Sequence, residues 1–288
     1  MWKQKLAINE FRAYEDRMSL KEEYELIRKT GFDGVFTLWK DAETEKKKAA
    51  LIREAGLFYQ SEHMLWNHSA LLWEDEGEAG ESAVKEHVEC LKSAAKNEIP
   101  LVIMHVIIGM ERCTPTILGI ERFGQIVRAA ERLGVTIGFE NTEGEVYLEK
   151  VMEAFGDSPA VGFCFDSGHE LCYNHGNDML GLYGDRLVGT HLNDNLGVRD
   201  YTGKITWHDD LHLLPFDGVA DWEGIAKRLA VSKPTEYLTF ELNLASKPER
   251  HENDAYARLT PEDYLSAAFM RSCRVSALVA RERERRKR

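Results

Sequence analysis

Short runs of consecutive apolar residues alternate along the chain with longer stretches in which apolar positions recur every three or four residues. The short runs predict strands at about 4–10 (QKLAINE), 33–38 (DGVFTL), 57–63 (LFYQSEH), 100–106 (PLVIMHV), 135–141 (VTIGFEN), 160–166 (AVGFCFD), 186–193 (RLVGTHLN) and 236–242 (EYLTFEL). Such runs suit parallel strands covered on both faces. The stretches LKEEYELIRKTG, AETEKKKAALIREAG and ERFGQIVRAAERLG read as amphipathic helices stopped by Gly31, Gly56 and Gly134, since glycine commonly follows the last helical residue. Eight strand–helix units in one compositional regime predict one α/β domain, residues 1–288, folded as a single (β/α)8 TIM barrel. A doubly wound open sheet is the competing arrangement.

Three segments break the rhythm, at about 64–80, 107–115 and 194–220, and each follows a strand. Active-site loops of a barrel belong there. The first carries Trp66 and Trp73, which read equally as caps over a pocket or as plain packing. A charged tail from about 280, ARERERRKR, reads as the solvated end of a last helix.

Composition narrows the classes. A chain of 288 residues suits one barrel of about 250 residues with insertions. With 37 Lys and Arg against 49 Asp and Glu, the net charge of −12 argues against a nucleic-acid partner. The five cysteines, Cys90, Cys113, Cys164, Cys172 and Cys273, are scattered without a CxxC pair. That excludes a disulfide framework and fits a reducing compartment. The start, MWKQKLAINEF, has no signal-like apolar core, and no apolar stretch reaches about 18 residues. A cytoplasmic location without a membrane partner is expected. HExxH, Walker A, EF-hand and GxSxG patterns are absent.

The candidate chemistry lies at the ends of the late strands. Strand five ends in Glu140, strand six in Asp166, strand seven in His191 and strand eight in Glu241, each after a run that otherwise reads as core. Three carboxylates converging on the mouth of a barrel repel one another, and a shared cation is the physical remedy. One divalent metal is therefore expected. Further candidate metal or substrate ligands are His63 and His105, which end strands three and four, with His169, Asp210 and His212.

Five segments, GFENT (138–142), FDSGH (165–169), THLND (190–194), DLHLLPFDGVADW (210–222) and TFELN (239–243), resemble in order the motifs of the xylose isomerase-like barrels, which group sugar isomerases, sugar epimerases and endonuclease IV. The resemblance implies that Glu140, Asp166, His191 and Glu241 hold the metal, and that Glu140 and Glu241 act as acid and base. On that pattern a sugar or sugar phosphate passes through a metal-stabilised cis-enediolate and is isomerised or epimerised. His169 resembles a family histidine that contacts a substrate oxygen. Arg199, after strand seven, and Trp66 are further substrate-binding candidates. Pro215-Phe216-Asp217-Gly218 departs from the family's glycine-rich stretch.

The alternative within the family is an endonuclease IV-like phosphodiesterase with three zinc ions, whose nine ligands map onto His63, His105, Glu140, Asp166, His169, His191, Asp210, His212 and Glu241. A sugar dehydratase, or a subunit of a sugar-modifying complex, is a further alternative. An oxygen-rich donor set favours Mn2+, with Mg2+, Co2+ or Zn2+ as other ions. The expected partner is a small-molecule sugar. Tyr264, Leu265 and Phe269 on the last helix read first as core packing and otherwise as a homodimer face.

Overall fold

The computed structural model describes residues 4–11, 14, 16–74, 77–108, 114–174, 176–198 and 207–288. Its strands are β1 (Lys5–Asn9), β2 (Gly34–Leu38), β3 (Phe58–His63), β4 (Leu101–His105), β5 (Thr136–Glu140), β6 (Val161–Asp166), β7 (Leu187–His191) and β8 (Tyr237–Phe240). The helices are α1 (Leu20–Thr30), α2 (Ala42–Glu54), α3 (Leu71–Glu74), α4 (Glu78–Lys96), α5 (Ile117–Leu133), α6 (Glu145–Phe155), α7 (Ser167–Cys172), α8 (Met179–Tyr183), α9 (Trp222–Val231), α10 (Asp254–Ala257) and α11 (Pro261–Arg286). Every strand falls within the run that predicted it.

The strands pair in parallel in the order β7-β6-β5-β4-β3-β2-β1-β8. The remaining seam, β7 to β8, is narrower. It is joined by a parallel bridge between Leu192 and Phe240. Thr190 reinforces it: its Oγ1 donates to the Thr239 carbonyl at 3.1 Å and accepts from the Thr239 N–H at 2.9 Å. The result is a (β/α)8 TIM barrel.

Helix ends follow the local chemistry. Ser19 and Glu22 form a reciprocal capping box at the start of α1. Thr260 caps α11 just before Pro261, which needs no N–H there. Gly31, Gly56 and Gly134 follow α1, α2 and α5 with φ of 124°, 74° and 68°, where a side chain is strained.

Period-two alternation splits the interior into two apolar regions. Val102, Met104, Ile137, Phe139, Phe163, Phe165, Leu238 and Phe240 belong to the large core between sheet and helices. Leu101, Ile103 and Cys164 form a separate cluster with Val188 inside the barrel. Along β5 and β6 the residues two beyond Gly138 and Cys164 are Glu140 and Asp166, so the same alternation turns both carboxylates inward.

The segment 64–80 follows β3 and includes the short helix α3 and the start of α4. Trp73 does not cap a pocket: it is buried, its indole donates to the Val106 carbonyl at 2.7 Å, and it packs on Phe123 and Tyr147. Tyr264 and Leu265 are also buried, and Phe269 lies edge-on to Phe32, so this face of α11 is spent within the barrel. The predicted tail is mostly exposed but continues α11, and Glu282 within it is buried.

Candidate metal centre

Glu140 is the hub. Its Oε2 lies 3.2 Å from His63 Nε2 and 3.1 Å from His105 Nε2, and its Oε1 lies 2.9 Å from His191 Nδ1. The same His191 nitrogen is 3.0 Å from Glu241 Oε2. Four potential ligand atoms, one each from Glu140, Asp166, His191 and Glu241, lie within 4.8 Å of one another. Among the described residues two further groups meet that limit, His63 with Glu140 and His191, and His169 with Asp210 and His212. All nine side chains singled out in the sequence therefore gather at the carboxyl ends of the strands. Arg199 lies outside the described residues.

Each ligand candidate is held by its neighbours. Asp166 caps α7, its Oδ1 accepting from the His169 N–H at 2.7 Å. Asn193 Nδ2 donates to Asp166 Oδ2 at 2.9 Å. Asn141 grips the backbone of Asp166 twice, accepting from its N–H at 2.7 Å and donating to its carbonyl at 2.8 Å. The His191 ring stacks on Phe36 with centroids 4.5 Å apart. His169 Nδ1 sits 3.0 Å from the Asn141 carbonyl, leaving Nε2 toward Asp210. Such outer partners fix ring orientation and ligand basicity. Asn141 and Asn193 were missed as functional residues, although both stand inside quoted motifs; their amide type was the available signal.

Asp194 builds the wall beside the site. Its carboxylate accepts from the N–H groups of Phe216 and Ala220 and from the indole of Trp222. This ties the divergent Pro215–Gly218 stretch to β7. Phe216 sits at φ 75° and His212 at φ 50°, conformations costly for side-chain-bearing residues. Trp66 is 39% exposed, stacked beside His105 and edge-on to His63. It therefore stands at the rim, beside two of the candidate ligands.

The electrostatics are strongly coupled. Burial raises the Glu140 carboxyl, but His191 and the hydrogen bonds of His105, His191 and His63 outweigh it and hold it well below its usual range. Burial opposes protonation of His191, yet Glu140 and Glu241 push it up to about 10. Glu241, despite burial, is held at about 2 by His191 and His212. Asp166 is raised to about 6, chiefly by burial. His212 is raised to about 9 against burial, mainly by Asp210. Burial lowers His105. The Nε2 of His191, Nδ1 of His105 and Oδ1 of Asp210 are buried without a hydrogen-bond partner.

The charge count tests whether a cation belongs here. Glu140, Asp166 and Glu241 share their group with one imidazole, His191, and once the surrounding histidines are deprotonated the group carries three negative charges. A buried imbalance of this kind calls for a bound cation. Asp210 is differently placed, with His212 Nε2 at 2.8 Å, His169 Nε2 at 3.4 Å and Lys247 Nζ at 4.0 Å.

A parallel-stranded barrel with an acidic, imidazole-lined mouth defines a class of candidate metal-binding barrels. Within that class, residues 24–261 match the xylose isomerase-like TIM barrel family, to which this chain belongs. A relative from Sinorhizobium fredii (strain NBRC 101917 / NGR234), the uncharacterized protein y4fM, is 35% identical over 144 residues, covering 49% of this chain and 40% of that protein. The chain thus aligns with less than half the length of that relative. Among solved structures, the IOLI protein with a bound zinc atom superposes with a TM-score of 0.73 at 19% identity, covering 95% of this chain and 98% of that one. L-ribulose 3-epimerase superposes with a TM-score of 0.68 at 14% identity, covering 99% and 97%. At these identities the two structures speak to the fold.

Proposed function

We propose that the chain is a divalent-metal-dependent isomerase or epimerase of a sugar or sugar phosphate. The observation that carries this reading is the quartet of Glu140, Asp166, His191 and Glu241, three buried side chains and one partly exposed, whose three carboxylates and one imidazole suit a divalent ion. Family membership supports it, as does the similarity in fold to an epimerase. The oxygen-rich donor set favours Mn2+, with Mg2+ and Co2+ next, while recruitment of His63, His105 or His212 would draw Zn2+.

When bound, the ion would polarise a substrate carbonyl and stabilise negative charge developing on adjacent oxygens. The protein's own residues move the proton. Glu140 is fully buried, whereas the Glu241 side chain is 25% exposed, so Glu241 is the carboxylate open to an incoming substrate. In this reading Glu241 takes the proton alpha to the carbonyl, and Glu140 or Glu241 returns it. Return to the opposite face inverts the carbon; return to the neighbouring carbon interconverts aldose and ketose. His169 would hold a substrate oxygen and Trp66 would wall the mouth.

The test is hydrogen exchange between ketoses and solvent, catalysed by Mn2+-loaded protein. Glu241→Gln should slow it by about 100-fold or more while the fold is retained. Full exchange in that variant would refute the assignment.

A second reading has its own observation: among the described residues eight of the nine candidate ligands fall into three groups of three or four, and the ninth, His105, lies 3.1 Å from Glu140, a ligand-rich rim that would suit a three-zinc phosphodiesterase. Lys247 beside Asp210 and the net charge of −12 weigh against it. Elemental analysis separates the two. One Mn, Mg or Co per chain supports the sugar enzyme; two or three Zn, with nicking of an abasic duplex, would support the phosphodiesterase.

A further inference from the structure

At the other end of the barrel, a cavity of about 300 Å³ is lined by Ala230, Ser232, Pro234, Arg283, Arg286 and Lys287. Its walls come from the turn between α9 and β8 and from the last turns of α11. Gln4, just before β1, borders it through a hydrogen bond from Arg283. Gln4 and the turn precede strands β1 and β8, whereas the candidate metal ligands lie at or beyond strand ends. A five-residue strand spans roughly 16 Å, so the two regions are separate.

Three cations and no carboxylate line this cavity, in a chain of net charge −12. Lys287 bonds Glu284 at 2.7 Å on the outside of the helix. Arg286 and Arg283 pair with no carboxylate among the described residues. Arg283 is half-buried, and its guanidinium spends one N–H on Gln4 Oε1 at 2.9 Å. Gln4 is itself fixed, since its amide donates to the carbonyls of Thr235 and Glu236. Burial without a counter-charge pulls Arg283 below its ordinary pKa. A half-buried guanidinium with unused donors beside a second arginine is a receptor for a planar or tetrahedral oxyanion. The Ser232 hydroxyl already donates to the Arg228 carbonyl at 2.9 Å, so recognition rests on the cations.

We propose that this cavity binds the phosphate group of a small phosphorylated ligand, at a site distinct from the candidate metal centre. Its volume admits a phosphate with a short attached group, and the guanidiniums of Arg283 and Arg286 supply forked donors. Free inorganic phosphate and a phosphate ester share this chemistry.

The experiment is calorimetric titration of the metal-loaded protein with inorganic phosphate, pyrophosphate and glycerol phosphate. Comparison variants are Arg286→Glu, at an exposed helix end, Arg283→Gln, and Asp166→Asn in the metal quartet. Arg286→Glu and Arg283→Gln should each weaken binding by about tenfold or more, with metal content unchanged. Asp166→Asn should leave it intact. Tighter binding of glycerol phosphate than of inorganic phosphate would assign an ester; the reverse would assign the free ion. Binding that survives both arginine changes, that is lost in Asp166→Asn, or that is undetectable in the unaltered protein would overturn the proposal. So would a duplex oligonucleotide that binds more tightly than pyrophosphate.

Discussion

Glu62 stands next to His63 on β3, yet it serves the opposite face of the strand. While His63 meets Glu140, Glu62 is fully buried beside Glu45 of α2 and Cys90 of α4. Tyr59 hydrogen-bonds Glu45, and Lys48 Nζ lies 3.4 Å from the other Glu45 oxygen. Burial, and then the charge of Glu45, raise the Glu62 carboxyl to about 10; Glu45 is also raised, mainly by burial. One carboxyl of the pair therefore keeps its proton at neutral pH. The unfolded chain gives that proton up near 4.5, the folded chain near 10. Between those values the folded state binds more protons, so stability falls as pH rises, by up to about 1.4 kcal/mol per pH unit. Glu62→Gln removes the titration while keeping the shape. It should raise the melting temperature at pH 8 more than at pH 5, flattening the pH dependence, as thermal unfolding across that range would record. An equal effect at both pH values would mean that Glu62 is not the protonated partner.

The short helix α7 links site to scaffold at the scale of an element. Gly168 is its second residue, and a Cβ there would stand 1.9 Å from Asn193 Oδ1, the other end of the amide that holds Asp166. Gly168→Ala should displace Asn193, cost about 1–3 kcal/mol of stability through overpacking and weaken metal binding about 10- to 100-fold. Thermal unfolding and metal titration would read the two effects, and unchanged metal affinity would remove Asn193 from the supporting shell. This contact also marks a limit of sequence reading. The eight strands were legible because each is a short apolar run with both faces covered, and the quartet because polar residues interrupted those runs at their ends. Asn193 and Asp194 carry no periodicity; their roles depend on which backbone groups the barrel brings back to them, as when Asp194 meets Phe216, Ala220 and Trp222. Trp73 misled for a related reason. It lies in a segment placed at the mouth, but α3 turns it inward, where the Val106 carbonyl satisfies its indole.

For the whole molecule, the barrel gathers charge at the carboxyl ends of its strands, and protons occupy part of what a metal would hold. His191 is pushed up to about 10 by Glu140 and Glu241 after burial is overcome, and burial keeps Asp166 up to about 6. Glu241, at about 2, stays ionised across the working range. A metal ligand must be deprotonated, so binding at the quartet expels the proton of His191 at any pH below about 10 and that of Asp166 below about 6. Apparent metal affinity should therefore rise with pH, by about tenfold per unit between pH 6 and 9 and by about a hundredfold per unit below 6. Titration of metal-free protein with Mn2+ against a chromophoric chelator would measure the slopes. Calorimetry in buffers of different ionisation enthalpy would count the protons released, one at pH 8 and approaching two at pH 5. The coupling reaches stability as well: an ion that binds only the folded state stabilises it with the logarithm of its affinity, so the gain in melting temperature on adding Mn2+ should shrink as pH falls. A metal affinity flat from pH 6 to 9 would mean that the ion does not engage His191, and would break the link between the quartet and the proposed chemistry.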